Sequence, residues 1–224
     1  MKPIAWSYTA LTAYETCPRQ FYRTRVKKDI VSEMGEEAKW GDMVHKKLEA
    51  RLKDGTPLPP ELQKYEQLVA RIAAAPGETL TEHKLCINSK FEFVSWFDKQ
   101  AWCRGIIDVL LIRGDRAYAL DWKTGKRKAG SKQLKLFALL VFLHHPEIQS
   151  VKTGFVWLKE GASDHEPYTR GQGAELWQEF VGDLARYNAA FKQDMWIPRK
   201  SGLCRGWCPV TGCEFWVKSD YFFI

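Results

Sequence analysis

A mixed β-sheet flanked by helices, with a core in the order α-β-β-β-α-β, is the α/β fold class that this 224-residue sequence predicts. Three observations lead to it. Two apolar, strand-like segments at 101–112 and 116–123 follow one another across a short polar break, as the arms of a hairpin do. Upstream, Glu36 to Lys53 reads as a helix, in which Trp40, Val44, Leu48 and Leu52 form an i, i+4 stripe. Downstream, a helical segment at 131–144 and a further strand-like run at 151–158 complete the alternation.

Taken in order, residues 7–28 read as one or two helices and 33–53 as the next. The segment Pro57-Leu58-Pro59-Pro60 then stops the chain from continuing as a helix, and 61–74 reads as a new one. A strand at 79–88 precedes the hairpin, and a long helix at 173–192 follows the last predicted strand. No repeat, low-complexity tract or long linker interrupts the pattern, so a single domain over 1–224 is expected.

The chemistry gathers at strand ends. Asp121-Trp122-Lys123 closes the run Ala117-Tyr118-Ala119-Leu120, and alternation puts the carboxylate and the amine on one face. Arg104-Gly105-Ile106-Ile107-Asp108 lies on the strand just upstream. If the two strands pair, Asp108 and Asp121 can converge on a divalent cation, with Lys123 beside its water or a substrate phosphate. Asp108 stands among Ile106, Ile107, Val109, Leu110, Leu111 and Ile112, where an acid requires a cation or a hydrogen-bond partner. A solvent-facing carboxylate paired with Arg104 is the alternative. His45 stands beside the helical stripe, one turn after Gly41, as a candidate third ligand or a polar residue at the edge of the core. Glu82, on a predicted strand, either assists a second metal or faces solvent.

Thirty-four Lys and Arg against 27 Asp and Glu give a formal charge of +7 and a pI near 9.0, which favours a polyanionic partner. Lys126, Arg127 and Lys128, in the loop after the Asp121 strand, are placed to grip phosphates or to form a solvated turn. Arg19, Arg23, Arg25, Lys27 and Lys28 interleave with Phe21 and Tyr22, as one wall of a nucleic-acid channel or the outer face of a helix. Trp6, Tyr8 and Trp122 are aromatic residues that could stack on bases or pack in the core.

Six cysteines are too few for a disulfide scaffold, and neither a signal peptide nor a membrane-length apolar span is present, so a cytoplasmic location is expected. Cys204, Cys208 and Cys213 cluster near one end and Cys17 lies near the other. Four thiolates from the two ends could bind one soft-metal centre and clasp 1–30 to 200–224. Cys86 and Cys103, within strand-like stretches, read as small core residues.

The ordered series Gly41-Asp42-Met43-Val44-His45, Gly105-Ile106-Ile107-Asp108, Leu120-Asp121-Trp122-Lys123-Thr124-Gly125-Lys126 and Gln133 resembles the PD-(D/E)XK nuclease superfamily, specifically its RecB-like branch. The opening Ser7-Tyr8-Thr9-Ala10-Leu11, Tyr14 and Cys17-Pro18-Arg19-Gln20-Phe21-Tyr22 is similar to the start of that branch. The resemblance implies a restriction-endonuclease-like core with N-terminal helices and a C-terminal cysteine segment. It implies that His45, Asp108 and Asp121 hold Mg²⁺ or Mn²⁺, that Lys123 orients or activates water, and that Gln133 supports the site. Phe137 stands where the family often has tyrosine. Some RecB-like nucleases, including those of CRISPR adaptation and of recombination complexes, carry a [4Fe-4S] cluster on one early and three late cysteines, here Cys17, Cys204, Cys208 and Cys213. The late spacing is C-x₃-C-x₄-C rather than the usual C-x₂-C-x₅-C, so Zn²⁺ or free thiols stay open. The implied function is a metal-dependent DNA exonuclease acting on DNA ends or single strands, in repair, recombination, phage DNA metabolism or CRISPR adaptation. A non-cleaving DNA-binding subunit and a redox protein are the alternatives.

Overall fold

A computed structural model of the chain describes residues 1–128 and 132–218. In chain order its main elements are α1 (Tyr8–Thr16), α2 (Pro18–Phe21), α3 (Glu36–Asp54), α4 (Glu66–Ala73), β1 (Glu78–Ile87), β2 (Cys103–Arg113), β3 (Arg116–Lys123), α5 (Lys132–His144), β4 (Ser150–Trp157), β5 (Ala162–Thr169) and α6 (Gly173–Gln193). They fall into two compact units. One is Met34–Gln178; the other joins Met1–Glu33 to the chain from Glu179 onward.

The unit Met34–Gln178 carries one five-stranded sheet in the order β1-β2-β3-β4-β5. Every neighbouring pair is antiparallel except β3 and β4, which are parallel and are therefore joined by a crossover containing α5. The pair Arg113↔Arg116 closes β2 and β3 around a two-residue turn, in which Gly114 takes a left-handed φ of 58°. Glu36 and Glu37 occupy the first turn of α3, and Arg51 and Lys53 the last, matching the helix dipole; Gly55, with φ 76°, ends it. Val44 and Leu48 of α3 are buried with Leu58, Leu62, Val69, Val109, Trp122, Val156 and Leu158. Trp40, the first residue of the predicted stripe, is 42% exposed and stands outside that core.

The predicted helix at 61–74 is divided into a 3-10 segment, Pro60–Tyr65, and α4. α5 buries Leu134 and every residue from Leu136 to Phe142, and it packs on β2 where Gly105 leaves room. A Cβ at Gly105 would lie 2.5 Å from Leu140 Cδ1. Residue 131, the predicted start of that helix, lies outside the described residues. β5 was not anticipated: Asp164, His165, Glu166 and Pro167 give it no apolar run, consistent with an edge strand.

In the other unit, Ser7 caps α1 by accepting a hydrogen bond from Ala10 N at 3.1 Å, and Pro18 begins α2 straight after Cys17. The chain continues as a π-helical turn over Tyr22–Val26. Aromatic rings dominate the core: Phe21 lies 5.6 Å from Tyr187 and 6.2 Å from Trp196, while Trp6 lies 5.8 Å from Phe180. Tyr14 donates its hydroxyl to Arg186 O at 2.9 Å. No helix among the described residues is long and apolar enough to cross a membrane.

Candidate functional site

Strand register alone lines up three carboxylates. The β2–β3 ladder ends at Val109↔Leu120, so Asp108 and Asp121 face one another one step beyond it. On the other side of β2, the pairs Thr81↔Val109 and His83↔Ile107 bracket Glu82 opposite Asp108. Glu82 adopts φ 46°, a left-handed conformation that costs a non-glycine residue about 1–3 kcal/mol and tends to be kept at functional sites. β1, β2 and β3 thus each contribute one acid at the same level of the sheet.

His45 reaches this row from α3, with Nδ1 3.3 Å from Asp108 Oδ2. Ligand atoms of His45, Glu82 and Asp108 all lie within 4.8 Å of one another. Gly41, one turn earlier on α3, admits the end of β3: a Cβ there would meet Thr124 Oγ1 at 3.0 Å. Asp108 also accepts a hydrogen bond from Trp122 N at 2.7 Å, which holds its carboxylate against β3.

Asp121, Lys123 and Gln133 form a second, interlocked group. Gln133, in the first turn of α5, donates through Nε2 to Asp121 Oδ1 at 2.7 Å and accepts from Lys123 Nζ at 3.1 Å. The Lys123 ammonium lies 2.6 Å from Asp121 Oδ2 and 4.8 Å from the centre of the Phe155 ring. Asp121 Oδ2 is buried, and the Lys123 ammonium is the partner that reaches it. Burial, and then the Asp108 charge, push the Asp121 carboxyl up to about 6, with Lys123 opposing. Burial likewise raises Glu82, aided by Asp108 and Glu49 and opposed by His45 and Lys84. Burial works against an imidazolium at His45, but Asp108, Asp121 and Glu82 outweigh it and raise its pKa. Crowded, largely buried acids that need neutralising suit a divalent cation.

The other residues singled out from sequence take varied positions. Lys126 and Lys128 are exposed, whereas Arg127 donates through Nε to Asp164 Oδ2 at 2.9 Å and so is tied to β5. Trp6 and Trp122 are buried at 1% and 2% exposure, which removes both as base-stacking surfaces. Phe137 is buried as well and lies beside Gly105. Arg23 and Lys27 both pair with Asp29, at 2.7 and 2.9 Å, and Arg19 pairs with Glu214 at 2.7 Å. Arg25 and Lys28 line an open cavity with Thr16, Gln20 and Thr24.

Cys17, Cys204, Cys208 and Cys213 line one small cavity, with Arg19, Val210 and Trp216. Backbone N–H groups of Arg199 and Ser201 donate to the sulfurs of Cys17 and Cys204, each at 3.5 Å. Burial pushes the Cys208 thiol up, and the other three cysteines add to that rise. Cys86 and Cys103 are buried in the sheet unit. Glu82 is the member of the site that sequence weighed least. Its only signal was its place on a predicted strand.

The profile of the PD-(D/E)XK nuclease superfamily matches residues 5–213. No curated protein matches. Among solved structures, that of SSO0001 is similar at 15% identity with a TM-score of 0.54, over 97% of this chain and 89% of the other. A "Putative exonuclease" from Eubacterium rectale is similar at 11% identity with a TM-score of 0.55, over 87% of this chain and 84% of the other. At these identities the likeness to solved structures speaks to the fold.

Proposed function

The chain belongs to the PD-(D/E)XK nuclease superfamily, and we propose that it is a Mg²⁺- or Mn²⁺-dependent deoxyribonuclease, an exonuclease acting on DNA ends or single strands. One observation carries this reading: His45, Glu82 and Asp108 meet within 4.8 Å beside the interlocked Asp121, Lys123 and Gln133. Oxygen donors with one imidazole favour Mg²⁺ or Mn²⁺. His45, Asp108 and Asp121 are assigned to the cation, with Glu82 joining them or serving a second ion. A cation bound there would polarise a phosphoryl oxygen and acidify an attacking water.

The remaining work falls to side chains. Lys123 presents a positive charge to the phosphate and orients the water, while Asp121 and Gln133 fix the position of its amine. Gln133 in turn keeps Asp121 aimed by holding its other oxygen. Lys126 and Lys128 are exposed and would meet backbone phosphates; Arg127 would first have to leave Asp164.

Cys17, Cys204, Cys208 and Cys213 are assigned to a [4Fe-4S] cluster, with Zn²⁺ as the alternative occupant. Convergence of all four on one cavity and two backbone N–H···S contacts support a soft-metal site. Such a centre would cross-link 1–30 with 200–218 and so stabilise the unit that contains both. Thiolates held by a metal, with Cys86 and Cys103 as buried thiols, suit a reducing cytoplasm.

The test is digestion of DNA labelled at either end, with Mg²⁺ or Mn²⁺, by wild type and Asp108→Ala. Metal-dependent release of terminal nucleotides by wild type, reduced to background in the variant, is expected. Equal release by both proteins would remove Asp108 from the chemistry, and no release by wild type on any DNA would remove the nuclease reading.

A further inference from the structure

Past the acids, β1 and β2 run into a connection, residues 88–102, that displays rings the core does not use. Its backbone is firmly held. Asn88 Oδ1 accepts from Lys90 N at 2.9 Å and Glu92 N at 3.0 Å, Val94 N donates to Cys86 O at 3.1 Å, and Trp102 N donates to Ile87 O at 2.8 Å. Phe91, itself 42% exposed, lies 5.6 Å from Trp102 and 4.9 Å from Trp177, ring contacts that anchor the connection. The two acids are used in shaping it: Glu92 accepts from Asn88 Nδ2 at 2.8 Å, and Asp98 accepts from Gln100 N at 2.6 Å.

Lys90, Phe93, Phe97 and Lys99 face outward, as does Glu92. Phe97 is 86% exposed and Phe93 67%. The neighbouring Trp96 has Lys84 Nζ 5.8 Å and Arg104 Cζ 5.4 Å from its ring centre. Lys84 pairs across the strands with Ile106, itself 36% exposed, and Arg104 lies two residues along β2 on the same face. Lys84 also lies near the acids: it stands about 7 Å along β1 from Glu82 by strand rise. An ordered cationic and aromatic surface therefore begins where the carboxylate row ends.

We propose that residues 84–104 form a platform for an unpaired DNA strand next to the cleavage site, with a base stacked on Phe97 and phosphates held by Lys84 and Arg104. This rests on the nuclease reading. Charge complementarity selects the occupant, because a single strand offers both an anionic backbone and free π-faces, whereas the bases of a duplex already stack on each other. The firm backbone means that little ordering has to accompany binding.

Fluorescence anisotropy with labelled oligo(dT) and with a blunt duplex, in EDTA, tests the platform on wild type, Phe97→Ala, Phe97→Leu and Lys84→Ala. Each Phe97 variant should bind oligo(dT) at least about fivefold more weakly than wild type, with duplex affinity changed less than about twofold. Lys84→Ala should lower the slope of log affinity against log salt by about one. Oligo(dT) affinity equal to wild type in both Phe97 variants would overturn the platform and leave the ring as a protein-docking surface. Equal losses on oligo(dT) and duplex would overturn its preference for unpaired strands. The nuclease reading fails separately: a wild type that needs Phe97 for oligo(dT) yet cuts no DNA with Mg²⁺ or Mn²⁺ keeps the platform and loses the hydrolysis.

Discussion

Asp121 shows what the site costs the fold. Its carboxyl, raised from 3.8 to about 6 by burial and then by Asp108, holds a proton more tightly in the folded chain than in the unfolded one. Between those two values the folded state carries the extra proton, so this group's contribution to stability falls as pH rises through the window, and the full cost applies above it. In EDTA at pH 8, Asp121→Asn should therefore stabilise the protein by about 1–3 kcal/mol in urea unfolding, a gain that shrinks towards pH 4. Destabilisation at pH 8 would show that the Lys123 ion pair outweighs desolvation. Lys123 makes a different prediction. Lys123→Ala should abolish DNA turnover while leaving DNA binding largely intact, and equal loss of both would deny it a catalytic part. Asp108, Asp121 and Lys123 were legible because an acid ending an apolar strand needs a partner. Glu82 was not, since its place depends on a left-handed backbone that no composition rule signals.

At the scale of elements, the β2–β3 hairpin carries the site because its register puts Asp108 opposite Asp121. Its apolar runs and the short Gly114-Asp115 break made it readable. The edge strand β5 was not readable, because Asp164 to Pro167 resemble a loop until β4 supplies the hydrogen bonds. The helical stripe on α3 predicted Val44 and Leu48 correctly but extended too far, to Trp40, which the core does not reach. Gly105 records how tightly α5 sits on β2. Gly105→Ala should cost about 1–3 kcal/mol, seen as a lower Tm, because the new methyl meets Leu140 Cδ1 at 2.5 Å. An unchanged Tm would mean that Leu140 rotates away freely. The aromatic run at 91–97 was legible only as composition; its exposure follows from the fold, which leaves Phe91, Phe93 and Phe97 at the surface.

For the whole molecule, the two ends of the chain fold into one unit, and Cys17, Cys204, Cys208 and Cys213 all lie there. Sequence spacing suggested the clasp, but it could not choose an occupant, since thiolate sites for a cluster and for zinc draw on the same residues. Cys208→Ala should lose the bound metal, measured by elemental analysis, and lower the unfolding midpoint; unchanged metal content would remove the clasp. The central claim is that a divalent cation binds Asp108 and Asp121 of the hairpin together with the imidazole of His45. Calorimetric titration of Mn²⁺ into wild type and Asp108→Ala at pH 7.5 tests it most directly. The account predicts a site in wild type, with proton release on binding, that is lost in the variant; identical titrations of the two proteins would contradict it.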